Sequence, residues 1–181
     1  VHAGENASSK FVEDAILVLS ANRIGHGLSL VEDPKLMARI REDNIGIELC
    51  PISNHQTSHF HQSKEKYSRE YPLGKFLKMG IMVSINTDNP IISHTNLVKE
   101  YFQAAYTCGE DDLSIWDTLR IIRMGYIQAF LNLPARKALI EIIEQNLTDL
   151  FEHPQVIKSL KEISTAQLLM QNQTKKKANK S

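Results

Sequence analysis

A chain of 181 residues, 42% hydrophobic and 23% charged, holds enough apolar material for one ordinary globular domain. Its 21 basic and 21 acidic side chains cancel to a formal net charge of zero, which argues against a dedicated nucleic-acid binder. No apolar run reaches the roughly 18 residues that suggest a membrane span, and no secretory leader is visible. Cys50 and Cys108 are too far apart and too unlike in context for a disulfide framework, so a reducing, cytoplasmic setting is expected.

The chain opens "VHAGEN", which reads as the end of a strand turned by Gly4. His2 and Glu5 sit there, where a frayed terminus would hold a site badly. Together with the missing initiator Met, this suggests a fragment or a processed product. Ser8 or Ser9 then caps a helix through "KFVEDAILVLSA", whose apolar residues recur at helical spacing. "RIGHGLSL" reads as a strand ending at His26. Asp33 and Pro34 start the next helix, "DPKLMARIRED", as cap and first helical residue. "NIGIELCPIS" is an apolar strand stopped by Pro51, "SREYPLGKFLKMG" a short helix closed by Gly80, and "IMVSINTDNP" a strand ended by Pro90. The alternation β-α-β-α-β-α-β argues for a parallel sheet.

After Pro90 the pattern turns helical, in "TNLVKEYFQAAY", "LSIWDTLRIIRMGYIQAFLNL" and "PARKALIEIIEQNL", with "HPQVIKSLKEI" a further candidate. The aromatic residues Tyr101, Phe102, Tyr106, Trp116 and Phe130 fall at helical positions and are expected in the core. Residues 1–163 are read as one domain and 164–181 as a polar, basic, disordered tail. Four strands cannot close a barrel but are half of an eight-stranded one.

Each strand carries polar chemistry at its C-terminal end: His2 and Glu5, His26, the run Cys50 to Asn54, and Asp88-Asn89. In parallel α/β folds that is the end where active sites are built. Histidines and carboxylates together can bind a metal and leave a group for acid–base work. Gly4, Gly25 and Gly27 flank these positions and would let substrate or metal approach the backbone. Asp88 ends an apolar run, so a buried carboxylate with a partner or a metal is expected. Taken singly, His26 could be a turn residue and Asp88 a cap before Pro90.

Four motifs in this order, "HAGE", "RIGHG", "ELCPISN" and "SINTDNP", resemble the adenosine/adenine/AMP deaminase family of zinc-dependent barrels. The resemblance runs from His2 to about Leu150. It implies the C-terminal half of a TIM (β/α)8 barrel, strands five to eight, followed by helices. It also implies hydrolytic deamination of adenosine to inosine and ammonia, with one Zn2+ per complete barrel. His2 and Asp88 would be zinc ligands. Glu5 would protonate purine N1, and so must be held in its acid form when substrate is bound. His26 would orient the attacking hydroxide and help move its proton. Asn89 would contact purine N7. The commonest family pattern has two aspartates where this chain has Asp88-Asn89. N7 is an acceptor, and an asparagine amide donates in its normal state, so the substitution suits a purine.

The resemblance also implies two further histidine ligands on a strand not present here. The chain alone would then be inactive and would need a missing N-terminal half-barrel as its partner. The only other expected partner is a small purine nucleoside, with no nucleic acid and no membrane. A deaminase of adenine or another 6-aminopurine, and a non-catalytic half-barrel acting as an interaction module, remain as alternatives. "HFH" at 59–61 imitates the missing ligand pair but lies in a polar stretch, so His55, His59 and His61 are read as a surface or substrate-rim loop. Cys50, amid apolar sequence, is read as a buried structural thiol. No P-C-x-x-C pair of cytidine-type deaminases occurs.

Overall fold

The computed structural model describes residues 1–57, 71–108, 113–159 and 161–162. The chain divides into two compact units, Val1–Phe130 and Leu131–Ser181. In the first, four parallel strands lie in chain order, β1 (His2–Ala3), β2 (Arg23–His26), β3 (Gly46–Leu49) and β4 (Val83–Ile85). Helices α1 (Ser9–Leu17), α2 (Pro34–Glu42), α3 (Pro51–Thr57) and α4 (Leu73–Lys78) stand between them, and α5 (Leu97–Cys108) and α6 (Ile115–Ile127) follow β4. The predicted alternation and parallel sheet are thus present.

Register explains why the strand-end residues meet. His2 pairs with Gly25 and Ala3 with His26, while Leu49 pairs with Ile85, so the C-terminal ends lie side by side. Ile24, Ile47, Leu49, Val83 and Ile85 are buried. All of β4 is buried, as expected of a parallel sheet covered on both faces. Against the sheet packs a core that includes Val12 and Ala15 of α1, Leu36, Met37 and Ile40 of α2, and Leu73 and Phe76 of α4. Burying a side chain of this size contributes about 1.5–3 kcal/mol.

The helix starts follow their capping signals. Asp33 accepts from the N–H groups of Lys35 and Leu36, with Pro34 behind it in the first turn. Ser8 occupies the N-cap of α1 without a side-chain cap bond. Ser114 and Asp117 form a reciprocal capping box at α6. Gly80 closes the turn after α4 at φ +76°.

Two elements depart from the sequence reading. After His26 the chain forms a 3-10 helix, Leu28–Glu32, where Gly27 takes φ 61° and ends the strand. Pro51 does not merely stop β3; it opens α3, which places His55 in a helix and not in a loop. His59 and His61 lie outside the described residues.

In the second unit, Asn132 caps α7 (Leu133–Glu152) by accepting from the N–H of Ala135, and residues 154–159 are helical. No residue of α7 is buried. The expected boundary at 163 and the tail 164–181 fall outside the described residues. Among the described residues, no helix is long and apolar enough to cross a membrane.

The aromatic expectation fails in the helices. Phe102, Tyr106, Trp116 and Phe130 are mostly exposed, and only Tyr101 packs partly against the core. Helical spacing tells which side chains share a face, but not whether another layer covers that face.

Candidate active site

The C-terminal ends of the strands surround a cleft of about 600 Å³ whose lining includes His2, His26, Glu48, Cys50 and Asp88. The structure brings His2, His26 and Asp88 together at this cleft, with Glu5 beside His26.

His2 stands at the end of β1, exposed, with its ring edge-on to His26 at 5.0 Å between centroids. Its partner in register is Gly25. A Cβ there would lie 2.8 Å from His2 Cδ2, so glycine is what lets the imidazole lie over β2. Gly4 takes φ +68°, and a Cβ on it would meet Val12 and Ser29. Both glycines therefore make room for the protein's own side chains, where the sequence suggested room for substrate or metal.

His26 is buried, at 2% exposure, and takes φ 69°, a left-handed conformation uncommon outside glycine. Burial holds its imidazole below the usual histidine range, opposed by the nearby Glu5 carboxylate. Its Nε2 lies 3.7 Å from Glu5 Oε2, and its Nδ1 lies 2.8 Å from Asn54 Nδ2. Asp88 also takes a left-handed φ, 54°. Backbone strain of this kind clusters at functional sites, where the surrounding structure holds it.

Asp88 corrects the expectation of burial: it is exposed. The apolar run ends at Ile85, and the turn that follows carries Asp88 out to the cleft. Its Oδ2 accepts from Ser53 Oγ at 2.7 Å. Asn89 is exposed as well, and its Oδ1 accepts from the N–H groups of Ile91 and Ile92 at 3.2 and 3.1 Å. With the oxygen engaged by backbone donors, the group that this side chain can offer a ligand is its NH2, a donor.

The element missed in the sequence supplies the contacts. From α3, Ser53 reaches Asp88, Asn54 reaches His26, and Thr57 donates to Glu5 Oε1 at 2.6 Å. Glu100, fully buried on α5, accepts from the N–H of Ile52 at 2.9 Å and so ties α3 to α5. Burial raises the Glu100 carboxyl above its ordinary range. A proline straight after a strand, followed by Ser, Asn and Thr, is the signal that could have shown the helix. Cys50 follows β3, buried, and burial pushes its thiol up to about 12, which fits the inert structural role expected.

His2 and Asp88 offer the nitrogen and oxygen donors that suit zinc. A catalytic zinc takes three protein ligands, and no group of three or more metal-competent side chains is found among the described residues. The cleft fits a metal as a partial ligand set.

A parallel sheet whose C-terminal edge gathers histidines and carboxylates has the arrangement in which α/β folds build their active sites. The chain belongs to the adenosine deaminase family, whose model matches residues 1–146. It is 40% identical over 141 residues to an adenosine deaminase of Klebsiella pneumoniae (strain 342), covering 78% of this chain and 40% of that protein. It is 35% identical over 143 residues to an aminodeoxyfutalosine deaminase of Streptomyces coelicolor (strain ATCC BAA-471 / A3(2) / M145), covering 79% and 35%. The crystal structure of an adenine deaminase from Arthrobacter aurescens shares the fold, with a TM-score of 0.69 at 20% identity, over 81% of this chain and 42% of that one. The chain thus spans well under half the length of the relatives it matches.

Proposed function

We propose that the complete protein hydrolyses the 6-amino group of adenosine, giving inosine and ammonia, and that these four strands are the second half of its eight-stranded barrel. The observation that carries this reading is the convergence of His2, His26 and Asp88 on one cleft, with Glu5 3.7 Å from His26, each held by register, burial or a contact from α3. A 40% identical relative named adenosine deaminase supports the substrate. The match to only 40% of that relative's length supports the half-barrel, which would be inactive alone.

Zinc, held by His2 and Asp88 with ligands from elsewhere in the protein, would supply a water acidic enough to ionise near neutral pH. The chain's own residues do the rest. Addition of hydroxide to C6 pushes electron density onto N1 of the ring. A carboxylic acid at Glu5 protonates N1 and stabilises the adduct. The Thr57 hydroxyl lies 2.6 Å from Glu5 Oε1 and fixes that side of the carboxyl group. His26, which lines the cleft, would order the attacking oxygen, and the Asn89 amide would offer N7 a donor.

The test is zinc content together with inosine release by the complete gene product. Glu5→Gln keeps the shape and removes the acid. Turnover is expected to fall by ~10³-fold while zinc stays bound. Zinc without activity on adenosine would move the reading to another 6-aminopurine, and a complete protein that binds no zinc would end it.

A further inference from the structure

Asn54 is fully buried and touches His26, Cys50 and Tyr71. An amide side chain has an oxygen that accepts and a nitrogen that donates, and its neighbours decide which faces where. The backbone N–H of Cys50, 3.3 Å away, can only donate. The Tyr71 hydroxyl also points at the same atom, at 2.9 Å. That atom is therefore the oxygen. The nitrogen then faces His26 Nδ1 at 2.8 Å, and since it only donates, Nδ1 must hold a lone pair. A neutral imidazole has one N–H proton, which is left on Nε2, the ring atom 3.7 Å from Glu5. The opposite tautomer would set two donors face to face in a buried place.

We propose that Asn54 is a positioning residue that locks His26 in its Nε2–H form, so that the ring presents a hydrogen-bond donor to the cleft. This rests on the deaminase reading only for its consequence. A neutral His26 steadies a lone pair of the attacking oxygen but cannot take its proton at Nε2. His26 orients and does not act as the base.

The tautomer is read directly by nitrogen-15 NMR of histidine-labelled complete gene product, with His26 assigned by its loss in His26→Gln. A bare Nδ1 and a protonated Nε2 are expected. Asn54→Asp keeps the shape and still accepts from Cys50 and Tyr71, but it offers Nδ1 an acceptor. The proton should move to Nδ1. The kcat with adenosine should then fall by ~10²-fold or more, with KM changed by less than about threefold, as for a wrong histidine tautomer. Asn54→Ala frees the ring without inverting it, so a smaller loss of about tenfold is expected. A proton on Nδ1 in the unaltered protein overturns the proposal. So does an Asn54→Asp protein whose Nδ1 stays bare. If Asn54→Asp does not fold, the unaltered protein's spectrum decides. A protein with the Nε2–H ring that ignores adenosine upholds the proposal and removes the substrate reading; a deaminase with the Nδ1–H ring does the reverse.

Discussion

His26 is buried and held through Asn54, whereas His2 and Asp88 stand exposed around the same cleft. The buried half is ordered before any ligand arrives. Each hydrogen-bonding atom of Asn54 meets a partner, and Tyr71 keeps its proton because burial raises its phenol well above the usual range. The exposed half is tied more lightly: Asp88 is held by Ser53, and His2 rests on Gly25. The difference divides the labour. A group that must show one tautomer is packed in, while the groups that would bind a metal are exposed.

That contrast can be broken from either side. The largest effect is expected from His26→Ala, which empties the buried half. Turnover should drop by ~10³-fold with zinc content unchanged, measured by inosine release and metal analysis. Loss of zinc in this variant would mean that the two halves are not separable. Ser53→Ala attacks the exposed half by removing the bond that orients Asp88. Zinc affinity should weaken by roughly 10-fold to 100-fold, read by competition with a chelator, and the thermal midpoint should hardly move.

Tyr71→Phe tests the packing of the buried half. It deletes one donor to Asn54 Oδ1, and denaturant unfolding should show a loss of about 1 kcal/mol with zinc affinity intact. The smallest effect is expected far from the cleft, at the capping box of α6. Asp117→Ala should cost about 1 kcal/mol or less and leave kcat unchanged. The Ser114 hydroxyl holds the Asp117 carboxyl below its ordinary range. The stabilisation is therefore present above the unfolded pKa, near 3.9, and is lost as pH falls through the lower folded value. Unfolding curves of the two proteins should converge in acid.

Much of this was readable from local order. Apolar runs cut by Gly and Pro marked each strand, and Asp33-Pro34 marked a helix start, because these signals act over a few residues. The four strand-end motifs named the candidate residues for the same reason: in a parallel sheet, strand ends collect on one edge whatever lies between. Coverage was not readable. Asp88 follows an apolar run yet is exposed, and Phe102 and Trp116 keep helical spacing yet face outward.

The sequence by itself determined the order of the four strands and of most helices, the parallel sheet and the residues at its working edge, but neither α3 nor the 3-10 helix after His26. Periodicity, caps and turns are properties of neighbours along the chain. Only the tertiary structure decided that α3 reaches Asp88, His26 and Glu5 through Ser53, Asn54 and Thr57. It also decided which atom of Asn54 faces His26. That choice follows from a backbone N–H and a phenol brought together by folding, and no spacing along the chain encodes it.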